Sequence, residues 1–128
     1  MILTRDKWRG NKNDEEVTES PEWDQVEVAI RELDQRERTL VTIQRSQEHY
    51  IAVGGGAGVY VAYVAVDGPT FDRLAEAEGA DGSTTLVVGG QASEYPKDEC
   101  VSLTTVLLAV RTFVETGLLE PGLRWKAD

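Results

Sequence analysis

Between Leu40 and Val66 the chain carries three runs of branched and aromatic residues with a period of two, separated by short breaks. Leu40 to Arg45 and His49 to Val53 flank Ser46, Gln47 and Glu48, a spacing that reads as a β-hairpin. Gly54, Gly55, Gly56 and Gly58 then interrupt the chain as a flexible hairpin turn before the third run, Val59 to Val66. That run is apolar on both alternating faces. It is therefore expected to be a central strand, covered on both sides or by a helix on one.

On either side of this β region the apolar period becomes helical. Ser20 and Pro21 read as a helix start, since the hydroxyl can cap free amides and proline fits the first turn. Trp23, Val26, Ala29, Ile30 and Leu33 form one apolar stripe, so a helix is expected over about 21–34. Ser102 reads as the cap of a second, more deeply buried helix with Leu103, Val106, Leu107, Val110 and Val114 on one face. Gly117 closes it.

The remaining segments are less regular. Met1 to Trp8 reads as a first strand and residues 9–19 as loop. Residues 70–83 read as one or two helical turns closed by Gly79, or as a loop. Thr84 to Val88 is a strand ended by Gly89 and Gly90, and Leu118, Leu119, Leu123 and Trp125 form a closing apolar segment. The expected architecture is α+β: an antiparallel sheet of about four to six strands with two main helices packed on it. One domain should span residues 1–128, with 1–19 a poorly defined N-terminal strand or arm.

A chain of 128 residues buries roughly two-thirds of its unfolded surface without a staple. Its single cysteine, Cys100, cannot supply a disulfide. The opening residues lack the apolar core of a signal peptide, and no run approaches the ~20 apolar residues of a membrane span. The cytoplasm is the expected compartment.

Charge bears on partners more than on fold. There are 23 Asp and Glu against 13 Lys and Arg, a net of −10. Residues 13–34 carry nine acids against Arg31, and residues 67–99 carry eight against Arg73 and Lys97. Such a surface repels nucleic acid and anionic lipid and draws in basic surfaces. A protein partner is expected, and neither nucleic acid nor membrane.

Catalytic chemistry finds little support. The glycines at 54, 56 and 58 have the spacing of a nucleotide loop, but a strand follows them where a phosphate cradle needs a helix N-terminus. A Cys100–His49 pair would need both residues to meet and a third group to orient the imidazole, and nothing in the sequence argues for that. One histidine and one cysteine do not make a zinc site, and the acids do not alternate as in a calcium loop. Asp98 and Glu99 are adjacent and suggest a solvated acidic turn. No catalytic, cofactor-binding or metal-binding residue is assigned, no cofactor is expected, and the chain does not read as an enzyme.

One set of short motifs is more specific. Val87-Val88-Gly89-Gly90-Gln91, followed by Glu94, Tyr95 and Pro96, forms a strand-to-Gly-Gly-Gln turn. Ala109, Phe113 and Gly117 on the later helix precede Leu123-Arg124-Trp125. With the Pro-Glu-Trp helix start and the Gly-rich hairpin, these motifs resemble immunity protein family one, over roughly residues 20–125. The resemblance implies a cytoplasmic α+β antidote to a bacterial polymorphic toxin, often one carrying a nucleic-acid deaminase domain, and a 1:1 complex. A deaminase holds a polyanion in a basic groove, which an acidic protein complements. The expected toxin-binding residues are the acids of 67–99: Asp67, Asp72, Glu76, Glu78, Asp81, Glu94, Asp98 and Glu99. Gly89, Gly90, Gln91 and Trp125 are read as structural members of the family motif. The alternative is an acidic interaction domain that inhibits or chaperones another basic protein.

Overall fold

The three period-two runs form the middle of a sheet in the computed structural model, which describes residues 1–76 and 80–127. They are β5 (Leu40–Ser46), β6 (His49–Gly56) and β7 (Val59–Val66), paired antiparallel in sequence order. Before them come β1 (Ile2–Arg5), β2 (Trp8–Arg9), β3 (Lys12–Asn13), β4 (Glu16–Glu19) and helix α1 (Trp23–Arg31). After them come β8 (Asp72–Ala75), β9 (Ser83–Val88), β10 (Gln91–Pro96), a 3-10 turn (Lys97–Glu99), helix α2 (Leu103–Thr116) and β11 (Arg124–Ala127). The main sheet has seven antiparallel strands in the order β11-β8-β7-β6-β5-β1-β4; β9–β10 and β2–β3 are separate hairpins.

The α+β architecture with two helices is as expected, but the sheet is wider. Residues 16–19, read as loop, are its edge strand β4, and residues 72–75, read as helical turn or loop, are β8. The closing segment supplies the other edge, β11. The turn proposed at Gly79 lies outside the described residues. The glycine cluster is also reassigned. Only Ala57 and Gly58, at φ +56° and +97°, make the tight β6–β7 turn; Gly54, Gly55 and Gly56 are buried strand residues.

Both helices lie on one face of the sheet. Val26, Ala29 and Ile30 of α1 and Val106, Ala109, Val110 and Phe113 of α2 meet Leu3, Ile43, Ile51, Val53, Val64 and Leu74. Fully burying each of the larger aliphatic side chains stabilises the fold by about 1.5–3 kcal/mol. Arg111 lies 4.7 Å over the Trp23 ring and so ties the two helices together.

The helix ends show where sequence signals compete. Helix α1 does not start at Ser20, which has φ +49° and donates its N–H to the Met1 carbonyl. Glu22 is the cap, in a reciprocal capping box with Gln25. Helix α2 does begin at Ser102, whose hydroxyl accepts the Thr105 N–H, and ends at Gly117 in the left-handed region. Arg45 donates to the carbonyls of Phe113 and Val114, and His49 Nε2 donates to that of Gly117 at 2.6 Å. The β5–β6 hairpin thus satisfies the Val114 and Gly117 carbonyls and adds a second donor to that of Phe113, which already accepts the Gly117 N–H.

Candidate functional site

The second face of the sheet is covered differently. The β9–β10 hairpin crosses it, turning at Gly89 and Gly90, both at positive φ. Leu86 is buried beneath the hairpin, and Val88 sits on Gly54, where an added Cβ would stand 2.7 Å from Val88 Cγ2. Gly54 is small so that this second layer can come down on the strand, whereas Gly56 makes room for the Leu33–Asp34 backbone.

Polar contacts fasten the hairpin along its length. Gln35 accepts the Val87 N–H at 3.0 Å and donates to the Gly56 carbonyl at 2.9 Å. At the tip, Gly90 N–H donates to Thr39 Oγ1 at 2.9 Å, and that hydroxyl in turn donates to Asp6. Asp6, 5% exposed, also accepts the N–H groups of Thr39 at 2.7 Å, Leu40 at 3.0 Å and the Trp8 indole at 2.8 Å. Trp8 is half-buried with its ring against Gly90. Gln91 is exposed beside the turn. Trp125 is half-buried against the core, and its indole donates to the Glu120 carbonyl at 3.0 Å.

The expected toxin-contact acids are scattered by the fold. Asp98 and Glu99 hold Lys126 Nζ at 2.9 and 3.0 Å, and Glu99 also faces Arg73 at 3.8 Å. The two carboxylates, Asp98 first, raise the Lys126 ammonium above its ordinary pKa. Glu76 accepts the Ser102 N–H at 2.9 Å, and that bond holds its carboxyl below the usual range. Glu94 accepts the Ser83 hydroxyl at 3.2 Å on the outer face of the hairpin. Asp67 turns the chain after β7 and bonds through its N–H to the Glu48 carbonyl; Asp72 opens β8, and Asp81 is exposed. Glu78 lies outside the described residues. Asp67, Asp72, Asp81 and Glu94 make no ion pair among the described residues.

An aromatic group escaped the sequence reading. The register aligns Glu19, Ile2, Gln44, Tyr50 and Ala65 in one row on the second face. The next row is Val17, Thr4, Thr42, Ala52, Tyr63 and Arg73. Phe71 lies 5.3 Å from the Tyr63 ring, with Arg73 over it at 5.1 Å. Burial, with Tyr50 and Tyr95 nearby, pushes the Tyr63 phenol above its ordinary pKa. Three of the chain's four tyrosines therefore gather on this face. The signal was present as alternation of Tyr50, Ala52 and Gly54 against Val61, Tyr63 and Ala65. Assigning it to the face opposite the helices required knowing which side the helices take.

His49 and Cys100 are each engaged with a separate partner. His49 is engaged with Gly117 and edge-on to Phe113 at 5.3 Å, while Cys100 donates to the Pro96 carbonyl at 3.4 Å. Burial pushes the Cys100 thiol above its ordinary pKa, away from the reactive thiolate. Among the described residues no cluster of three or more His, Cys, Asp or Glu could hold a metal ion. Nor is any helix among them long and apolar enough to cross a membrane.

Compared with known families, residues 14–127 match the model described as "Immunity protein Imm1". No curated protein matches the chain.

Proposed function

The chain belongs to the immunity protein Imm1 family, and from that membership we propose that it neutralises a nucleic-acid deaminase toxin by covering its basic substrate groove. The complex is 1:1 and forms in the cytoplasm, where the toxin's substrate would otherwise be attacked. The carrying observation is the set of carboxylates that the fold leaves unspent. Asp67, Asp72, Asp81 and Glu94 have no ion-pair partner among the described residues, while Asp98 and Glu99 are committed to Lys126. A groove built to hold phosphates presents Lys and Arg, and unpaired acids attract such a surface over a Debye length of about 8 Å at physiological salt. Asp98 and Glu99 contribute to the same field with less net charge.

Co-expression with the toxin domain encoded beside the chain tests this reading. The expected result is restored growth and a 1:1 complex on co-purification. Reversing Asp72, Asp81 and Glu94 to lysine should weaken that complex and flatten its dependence on salt. Unrelieved toxicity with no complex would overturn the reading in favour of an acidic domain that inhibits or chaperones another basic protein.

A further inference from the structure

We propose that the uncovered half of the second sheet face, centred on Thr42 and Tyr50, is the seat on which the toxin domain docks, through an uncharged patch ringed by Lys and Arg. This rests on the reading that the chain is a toxin inhibitor, and it moves the centre of contact from the acidic loops to the sheet.

The helices occupy the opposite face, and the β9–β10 hairpin comes down over the end of the sheet that holds Leu40, Gly54 and Val61, with Tyr95 reaching as far as Tyr63. Beyond it Thr4, Thr42, Gln44 and Tyr50 remain half-exposed, and Ile2 and Val17 are 37% and 59% exposed. A dimple of about 150 Å³ at the hairpin's tip, lined in part by Thr4, Trp8, Thr42 and Gly89, gives the seat a wall. Tyrosine offers a large contact area for the loss of two rotatable bonds, and aromatic side chains dominate binding hot spots. Strand residues are already ordered, so little further entropy is lost on docking.

Charge selects the occupant. Glu15 lines the dimple, Glu19 ends the row that holds Ile2 and Tyr50, and Glu48 and Asp67 join at the far end of β6; none of the four makes an ion pair among the described residues. On the same face Arg73 is engaged by Glu99 and Phe71. An uncharged centre with an acidic rim is complementary to an uncharged patch with a basic rim, and like-charged surfaces are rejected.

The test measures affinity for a catalytically inactivated form of the adjacent toxin domain, using the full chain and single variants. Thr42→Arg places a cation and added bulk in the centre, and Tyr50→Ala removes the anchor. Leu108→Arg changes an exposed site on α2, on the opposite side of the molecule. Thr42→Arg should weaken binding about 100-fold and Tyr50→Ala about 10-fold, with Leu108→Arg unchanged. Melting temperatures identify any variant that fails to fold, and Gln44→Arg then replaces it with the same expectation. Wild-type affinity in folded Thr42→Arg or Gln44→Arg overturns the seat while leaving the inhibitor reading intact. Failure of the wild-type chain to bind the toxin at all overturns both.

Discussion

Gly90 and Trp8 occupy the same space up to the limit that atoms allow: a Cβ on Gly90 would stand 2.9 Å from Trp8 Cη2 and closer still to Cζ2 and Cε2. The contact joins the tip of the β9–β10 hairpin to the first hairpin of the chain, across 82 positions of sequence (Trp8 to Gly90). It explains in steric terms why a turn already at φ +78° uses glycine here.

Gly90→Ala should therefore displace the indole as well as strain the turn. The backbone strain alone is worth about 1–3 kcal/mol. A lower urea midpoint together with altered tryptophan emission is the expected outcome. A lower midpoint with unchanged emission would show that strain acts and the indole does not move.

The Asp6 carboxylate should be worth more than any single surface ion pair, because four donors converge on it. Asp6→Ala leaves buried N–H groups without acceptors, each costing roughly 1–3 kcal/mol. Thr39→Val removes only the hydroxyl bridge and should cost less. Chemical denaturation of both variants checks the order, and a milder loss in Asp6→Ala would contradict it.

Two glycines of one hairpin should respond differently to alanine. At Gly56 the added Cβ would lie 2.6 Å from Asp34 N and closer to the Leu33 carbonyl, at φ +133°. At Gly58, φ +97°, nothing lies within 4 Å. Gly58→Ala carries backbone strain of about 1–3 kcal/mol, and Gly56→Ala adds overlap with backbone that cannot rotate away. Thermal melts should show Gly56→Ala as clearly the less stable.

Glu76 predicts a pH dependence. Its carboxyl sits below the ordinary value of 4.5, chiefly through the Ser102 N–H, so the unfolded chain takes up this proton more readily than the folded one. The stability it contributes is complete above about pH 4.5 and is lost as pH falls through the lower folded value. Glu76→Gln should cost about 1 kcal/mol at pH 7. The gap between variant and wild type should close in strong acid; a gap that stays constant with pH would assign the effect to packing.

How much of this was legible depended on the distance between partners. Helix α2 announces both ends, at Ser102 and Gly117, because its caps are local. Strands β5 to β7 pair with their sequence neighbours and carry long branched runs. Strand β4, Glu-Val-Thr-Glu, has one apolar residue and pairs with β1, so nothing within it marks a strand. The same holds for β8 and β11, which find each other across some 50 residues. The misplaced start of α1 has a local cause: Glu22 and Gln25 form a better box than Ser20 could from its left-handed backbone. The excess of acid was visible in composition. Which carboxylates remain unpaired was not, since Lys126 reaches Asp98 from 28 positions away.

The fastening of the β9–β10 hairpin has one more consequence. Its base is held where Lys97 N–H meets the Gly82 carbonyl, its middle by Gln35, and its tip by Thr39 and Trp8. Such a wall has no hinge about which to swing. The unbound protein should then superpose on its complexed form, and inhibition should begin at first encounter, without a slow isomerisation after capture.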